Sequence, residues 1–326
     1  MNAANNNLPD ISADNGQVNC ETKSFLTRTM GQLKHNKILW LMILPGIVWY
    51  VIFLYLPVYG IVIAFENYSP FRGLLAGPWV GFKWFIDYCQ SIYFFRTLKN
   101  TLLLNIFYII FAFPAPIILA LMLNEIKSAK FKKISQTISY MPHFISTVVV
   151  VGIFVNFMSP STGIVNTLLM KIGLKAIPFM TDPAWFRPMY ILSGIWQGIG
   201  WGSIIYLAAL SSIDPGLYEA ATVDGASKLR QMWHISLTGI KETIVIMLLL
   251  QLGHLFSVGY EKIILMYNPL NYETSDVISS YVYRRGLADG SYSYATAVGL
   301  FQAVLSYILL LFVNRLSKRI NEVSLW

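Results

Sequence analysis

The chain alternates between long apolar runs and short polar connections. Six runs lack Asp, Glu, Lys and Arg for long enough to cross a bilayer, which takes about 20 helical residues. They are Ile38–Phe65, Thr101–Leu123, Ile138–Met158, Pro188–Leu210, Thr243–Tyr260 and Ser291–Asn314. An isolated strand in lipid would leave its backbone unpaired, and these runs do not alternate as barrel strands do. The pattern therefore predicts an all-α fold, a polytopic membrane bundle of six transmembrane helices.

The amino-acid composition supports a membrane protein. Hydrophobic residues fill 56% of the 326 positions and charged residues 12%, whereas soluble domains carry about a quarter charged residues. The two cysteines, Cys20 and Cys89, supply neither a disulfide framework nor a metal-binding pair. We therefore expect no metal and no other cofactor on this chain. The sequence contains no basic, aromatic-interleaved motif of the kind that binds RNA, so nucleic acid is not expected as a partner.

Polar ends and charged connections predict the domain organisation and the topology. Residues 1–37 lack the apolar core of a signal peptide and predict a cytoplasmic, partly disordered tail. With that tail inside, the connections assigned to the cytoplasm carry more Lys and Arg than those assigned to the outside. We therefore expect a transmembrane domain at 38–314, a cytoplasmic tail at 315–326 and both termini inside.

An aromatic segment follows the first apolar run. Trp79–Lys99, with the sequence WVGFKWFIDYCQSIYFFRTLK, is amphipathic. Because Trp and Tyr rings prefer the membrane interface, we predict that this segment lies along the outer surface of the membrane. A helix within the protein core is the alternative.

A short polar stretch, DPGLYEAATVDGASKLRQMWHIS, interrupts the apolar pattern between the fourth and fifth runs. Asp214 before Pro215 predicts a capped helix start, and Gly225 after Asp224 predicts a helix stop. We therefore predict two short helices, Pro215–Val223 and Ala226–Trp233. The second would place three apolar side chains on one face, those of Leu229, Met232 and Trp233. This spacing fits either a rigid docking element or an ordinary interfacial loop.

The same stretch resembles the EAA loop of ABC-importer membrane subunits, whose pattern is E-A-A-x3-G-x9-I-x-L-P. The matching residues are Glu219, Ala220, Ala221, Gly225, Ile235 and Leu237, together with Asp224 and Ala226, which are frequent in that family. The chain departs from the pattern at Thr238, where the family has Pro. The departure concerns the local bend after the second short helix.

Other stretches are similar to the same family, so the resemblance covers Lys37–Trp326. The segments that resemble the family as a whole are Trp79–Phe82, Asn100-Thr101 and Leu119–Asn124. Those that resemble one MalF-like subgroup, the permeases for complex oligosaccharides and polysaccharides of the alginate- or pectin-fragment type, are Tyr267–Leu270, Tyr272–Thr274 and Leu325-Trp326.

The resemblance implies a permease subunit that forms half of a translocation pathway in a bacterial cytoplasmic (inner) membrane. The implied partners are a second permease subunit in a heterodimer, two ATP-binding cassette ATPase subunits, an extracytoplasmic solute-binding protein and membrane lipid. The chain has no G-x-x-x-x-G-K-[ST] phosphate loop, so we expect ATP and Mg to bind the ATPase subunits and this chain to be no enzyme. The residues implied in coupling, within a loop at 214–238, are Glu219, Ala220, Ala221, Asp224, Gly225, Leu229, Met232 and Trp233.

Aromatic and amide side chains on the fourth and fifth runs are candidates for the translocation path. Aromatic faces stack on sugar rings, and amides and hydroxyls hydrogen-bond to sugar OH groups, so the mixture suits an oligosaccharide. The candidates are Trp196, Gln197, Trp201, Tyr206, Gln251, His254, Ser257, Tyr260 and Lys262. Each aromatic residue is also consistent with ordinary helix packing.

An ionisable pair, Glu261-Lys262, lies in an apolar setting, where charge is costly and marks a functional site by default. Snorkelling to the interface is the alternative. Lys262 with Arg284 and Arg285 leads to the hypothesis of an acidic saccharide.

The rival functions are a single-chain secondary sugar transporter and a membrane-embedded enzyme. A secondary transporter would be expected to show repeat symmetry and membrane-buried carboxylates, which the six runs lack. No catalytic constellation in the sequence supports a membrane-embedded enzyme.

Overall fold

The computed structural model describes residues 37–321, which are mostly helical. In chain order the α-helices are α1 (Lys37–Tyr50), α2 (Lys83–Gln90), α3 (Phe94–Phe107), α4 (Pro114–Asn124), α5 (Ala129–Tyr140), α6 (Thr147–Phe157), α7 (Ile164–Lys171), α8 (Pro183–Ser211), α9 (Pro215–Val223), α10 (Lys228–Gln231), α11 (Leu237–Gly239), α12 (Lys241–Gly253), α13 (Tyr260–Met266), α14 (Tyr272–Ser275), α15 (Ile278–Tyr283) and α16 (Tyr292–Asn321). Within this range the β-type pairing is one isolated bridge between Glu66 and Trp79. The predicted all-α fold is confirmed.

Short π- and 3₁₀-helical segments extend or join several of these helices. The π-helical turns are Val51–Tyr55, Tyr108–Ala112, Met232–Ser236 and Arg284–Ala288, and the 3₁₀ segments are Leu56–Phe65 and Met141–Phe144. The predicted N-terminal tail lies outside the described residues up to position 36, as do positions 322–326 of the predicted C-terminal tail. The intervening residues 315–321 continue the helix of the sixth apolar run.

Four helical stretches in the described range are long and apolar enough to cross a membrane, and six are if each of two bent pairs counts as one span. The four are Ile38–Phe65, Phe94–Asn124, Pro183–Ser211 and Tyr292–Arg319. They correspond to the first, second, fourth and sixth predicted runs.

The chain divides into two compact units at Tyr59. In the described part of the first unit, α1 and its π-helical continuation expose apolar side chains along their length, and Trp49 lies edge-on to Tyr50. The second unit begins at Gly60 and contains α2 to α16.

The third predicted span, Ile138–Met158, is wrong as a single straight helix. The chain bends by 99° between Ala129–Phe144 and α6. Ile145 adopts an extended backbone after the 3₁₀ turn, and the Ser146 hydroxyl then accepts a hydrogen bond from the Val149 N–H to begin a new helix. The apolar run therefore contains a helix end and a helix start that hydropathy alone does not show.

The fifth predicted span, Thr243–Tyr260, is also interrupted. Helix α12 ends at Gly253, and the chain passes through turns before α13 begins at Tyr260. The helix pair that satisfies the length and hydropathy requirement is instead Lys228–Gly239 with α12, bent by 61°. Part of the span thus comes from the polar stretch that precedes the apolar run.

The aromatic segment Trp79–Lys99 does not form one surface helix. Helix α2 ends before Ser91, and Phe94 begins the helix that continues into the second span. Tyr88 on α2 is fully buried and packs against Tyr281 and Phe301. One side of α2 therefore belongs to the core, as the alternative predicts, and the place of the segment along the outer surface of the membrane stays a prediction.

Helix α8 is the central packing element of the second unit. It packs along α4 and contacts α5, α6 and α12. A side-chain carbon at Gly200 would overlap the backbone carbonyl of Ser139. A residue without Cβ is needed here because two backbones approach each other closely.

We expect Gly200→Ala to lower the free energy of unfolding by about 1–3 kcal/mol, the usual effect of overpacking a dense interior. Gly198→Ala is the matched control, because a side-chain carbon at Gly198 would meet nothing within 4 Å. Thermal unfolding of the detergent-solubilised complex should separate the two variants. Equal midpoints would contradict the close contact at Gly200.

Candidate functional site

The loop between α8 and α12 forms a defined structure at the C-terminal end of α8. Helix α9 spans Pro215–Val223, as predicted, and the Asp214 carboxylate accepts a hydrogen bond of 2.9 Å from the Gly216 N–H. Gly225 has φ of +73°, the left-handed conformation that ends a helix at no steric cost for glycine. The predicted helix start, length and stop are all confirmed.

The second short helix differs from its prediction. It begins at Lys228 rather than Ala226, because the Ser227 hydroxyl accepts from the Arg230 N–H and caps the helix there. It also continues beyond Trp233, through the π-helical turn and α11. Thr238, at the position of the family proline, lies inside α11, and the 61° bend follows directly.

Two side-chain contacts tie the short helices of this loop together. The Gln231 amide donates to the Thr222 hydroxyl and to the Ala226 carbonyl, each at 3.1 Å, and Gln231 is almost fully buried. The Tyr218 and Ser236 hydroxyls are 2.9 Å apart. These contacts stabilise a defined angle between α9 and α10. These contacts are not predicted above, although Gln231 lies between Leu229 and Trp233 and so faces the opposite side of the helix.

The loop exposes most of the residues that the EAA resemblance singles out. Glu219, Ala220, Asp224 and Gly225 are exposed, whereas Ala221 is half-buried.

Two of the three apolar residues predicted to share a face have largely exposed side chains. The side chains of Leu229 and Trp233 are 77% and 68% exposed. Met232 instead packs against the hydrophobic cluster that includes Leu210 and Ile240, so it does not share an exposed face with the other two. The reason is that the helix passes into a π-helical turn at this residue, which alters the helical register.

A cavity of about 620 Å³ lies at the bend between the two arms of the third span. This volume is within the range of small-molecule sites. Two predicted path residues, Gln197 and Lys262, line it. The Gln197 amide donates to the Ile145 carbonyl at 3.1 Å, and the Lys262 ammonium lies 5.0 Å from the centroid of the Tyr190 ring.

A second, smaller cavity of about 140 Å³ shares Tyr108, Gly194 and Gly198 with the first. It brings in two more predicted path residues, Tyr206 and Gln251. Tyr206 is 2% exposed and packs mainly in a hydrophobic cluster, as the packing alternative predicts.

The remaining path candidates do not join these two cavities. Trp201 stacks on His143 at 4.5 Å and Trp196 lies edge-on to Phe154, so both rings take part in packing. His254 and Ser257 lie in the exposed turn between α12 and α13. Tyr260 stacks on Tyr283 and lines a separate cavity against α16.

A buried carboxylate, Asp276, organises the N-terminal end of α8. Arg96 on α3 and Arg284 after α15 bind it at 2.8 and 2.9 Å, and its side chain has no exposed surface. Asn100 donates to the Asp276 carbonyl and accepts from Arg187 on α8. Burial lowers the pKa of Arg284, but its hydrogen bond to Asp276 and that carboxylate's charge together raise it above its usual value.

Arg285, the neighbour of Arg284, is also paired. It binds Asp289 at 3.0 Å, and its hydrogen bond to the Tyr281 hydroxyl raises its pKa above the ordinary range. Both arginines therefore have an acidic partner within the chain. The hypothesis that they favour an acidic saccharide together with Lys262 stays a prediction.

The described residues contain no group of three or more His, Cys, Asp or Glu side chains that could hold a metal ion.

A bundle with a two-helix EAA-type loop at one end and a cavity at a broken span defines a transport permease subunit. Residues 112–322 match the binding-protein-dependent transport system inner membrane component family, and the chain belongs to this family. The family resemblance drawn from the EAA loop is confirmed.

Two relatives from Bacillus subtilis (strain 168) align along most of the chain. Protein LplB is 44% identical over 297 residues, which are 91% of this chain and 93% of the relative. The polygalacturonan/rhamnogalacturonan transport system permease protein YteP is 46% identical over 299 residues, 92% of this chain and 93% of the relative.

Two solved structures of ABC transporters are also similar to this chain. A chain of a bacterial ABC transporter involved in the import of the acidic polysaccharide alginate is 48% identical, with a TM-score of 0.83 over 90% of this chain and 99% of that one. A structure of the bacterial alginate ABC transporter in complex with an alginate pentasaccharide-bound periplasmic protein gives a TM-score of 0.83 at 47% identity, over 91% of this chain and 100% of that one.

Proposed function

We propose that this chain is the permease subunit of an ATP-driven importer of an oligo- or polysaccharide, in a bacterial cytoplasmic membrane. The observation that carries the proposal is the rigid α9–α10 loop with exposed apolar side chains, in a chain 48% identical to part of an alginate importer. The relative YteP is described as a permease for polygalacturonan and rhamnogalacturonan, which are also polysaccharides.

In this proposal the loop is the contact with an ATPase subunit. Leu229 and Trp233 provide an apolar anchor, and the exposed Glu219 and Asp224 lie on the same loop. ATP and Mg bind the two ATPase subunits, since this sequence contains no phosphate loop. The loop and both chain termini face the cytoplasm, as the Lys and Arg distribution indicates.

The other partners form the rest of the importer. A second permease subunit completes a heterodimer, and a solute-binding protein delivers the saccharide from outside. This chain contributes half of the pathway, and the cavity at the bend of the third span is its candidate contact with substrate. ATP binding then shifts the permease between conformations only through differential contacts in the two states.

The docking role predicts a strong effect of Trp233→Ala in the reconstituted importer. Buried aromatic anchors at protein interfaces typically contribute 2 kcal/mol or more, so ATPase affinity should fall roughly thirtyfold or more. Affinity can be measured by titrating labelled ATPase subunits onto the permease dimer in nanodiscs, and saccharide uptake should fall in parallel.

Phe71→Ala is the matched control for this experiment. Phe71 is also an exposed aromatic residue, and the predicted topology places it on the opposite membrane face. Unchanged ATPase affinity in Trp233→Ala would contradict the docking role of this residue. Uptake driven by an ion gradient without ATP would argue for the secondary-transporter alternative.

A further inference from the structure

Lys262 is held at the wall of the cavity at the bend. Its ammonium lies 5.0 Å from the Tyr190 ring centroid, and a side-chain carbon at Gly194 would be 3.5 Å from it. Tyr190 and Gly194 are one turn apart on α8, and both line the same cavity. The ammonium is therefore positioned beside α8, where Gly194 leaves room for it.

The charge of Lys262 has no partner of opposite sign within residues 37–321. The ion pairs in this range involve other residues, and the ring of Tyr190 is the one favourable contact of the ammonium. The preceding Glu261 is exposed and does not line the cavity. A cation–π contact compensates only part of the cost of removing water from an ammonium.

The composition of the cavity wall determines what charge it prefers. Its described lining contains no Asp or Glu, but it does contain Lys262 and several neutral hydrogen-bonding side chains, those of Tyr108, His143, Ser146, Thr147, Tyr190 and Gln197. The Gln197 amide nitrogen is used by the Ile145 carbonyl, so its oxygen can accept from a ligand hydroxyl. The wall therefore combines one cation with hydroxyls and amides.

A uronic-acid unit has the complementary chemistry. It carries one carboxylate beside several hydroxyls, and its ring face can lie against an aromatic side chain. A carboxylate accepting from an ammonium forms a charge-assisted hydrogen bond, roughly twice as strong as a neutral one. By contrast, Arg284 and Arg285 already form ion pairs with Asp276 and Asp289.

We propose that Lys262 binds the carboxylate of a uronate unit in the cavity at the bend and thereby selects acidic over neutral saccharides. The inference rests on the proposed function, because it assigns the substrate class of the same importer. Lys262 acts here as a specificity-determining residue in contact with substrate.

The test uses the full importer, with its binding protein and ATPase subunits, in proteoliposomes. A panel of oligouronates, their methyl esters and neutral oligosaccharides is first offered to the wild type. For the imported oligouronate, we expect Lys262→Gln to raise the concentration giving half-maximal uptake roughly ten- to a hundredfold. Uptake of neutral sugars or methyl esters should be unchanged, and Lys262→Arg should restore most of the uptake of the acid.

Two controls separate this effect from misfolding and from general electrostatics. Lys262→Gln should assemble with its partner subunits as the wild type does, as judged by co-purification of the complete importer and its thermal unfolding midpoint. Lys175→Gln removes an exposed lysine outside the cavity and should leave uptake unchanged. Import of neutral sugars only, or unchanged uptake of the acid by Lys262→Gln, overturns the inference. Failure of the wild type to import any saccharide in the panel instead overturns the proposed function.

Discussion

Replacing Asp276 with asparagine is expected to destabilise the folded permease by about 3–5 kcal/mol, the usual cost of breaking a buried ion pair by removing one partner. The substitution leaves Arg96 and Arg284 without the carboxylate that binds both. Three segments meet at this residue, because Arg96 lies on α3, Arg284 follows α15, and Asn100 connects the Asp276 backbone carbonyl to Arg187 on α8. Thermal unfolding in detergent measures the change.

Asp289→Asn provides the comparison for Asp276→Asn. It removes the partner of Arg285 from a pair in which both side chains are about 40% exposed, and exposed pairs contribute at most about 1 kcal/mol. A loss of stability in Asp276→Asn no larger than that in Asp289→Asn would show that the buried network does not hold the three segments together.

Replacing Gly225 with valine is expected to uncouple the importer. The left-handed conformation costs L-residues about 1–2 kcal/mol, and a β-branched side chain is a genuine outlier there. The turn between α9 and α10 would shift, and the contacts of Gln231 with Thr222 and Ala226 would be lost. We expect saccharide uptake to fall more than tenfold while the ATPase subunits retain basal hydrolysis.

Gly173→Val is the matched control for Gly225→Val. Gly173 has φ of +85° in a turn after α7, and, as at Gly225, a side-chain carbon there would meet nothing within 4 Å. Both variants should therefore carry similar backbone strain. Equal losses of uptake would mean that strain alone, and not the position in the α9–α10 loop, causes the defect.

The features that the sequence predicted well depend on neighbouring residues. Helix α9 begins and ends where Asp214, Pro215 and Gly225 indicate, because capping and a left-handed stop act within one or two turns. The start of α10 could also have been predicted, since Ser227 is a good N-cap three residues before Arg230.

The features that the sequence did not predict depend on tertiary contacts. The Asp276 network joins residues 180 positions apart in the chain, such as Arg96 and Asp276, and no local pattern signals that pairing. The breaks in the third and fifth spans occur inside apolar runs, where hydropathy gives no sign of a helix end. Only some of the residues predicted to line the translocation path lie at a cavity. A ring that packs, such as Trp201, and a side chain that lines a cavity, such as Gln197, follow the same helical spacing, so the sequence does not distinguish them.

The sharp bend in the third span has a consequence for access to the interior. Residues 143–147, which form the elbow itself, make up one wall of the cavity, and α8 and Lys262 form the facing wall. Straightening or folding the elbow must therefore change the chamber's shape at the same moment. Under the proposed function, a saccharide bound there would therefore contact the bend itself and be affected by any change in its angle.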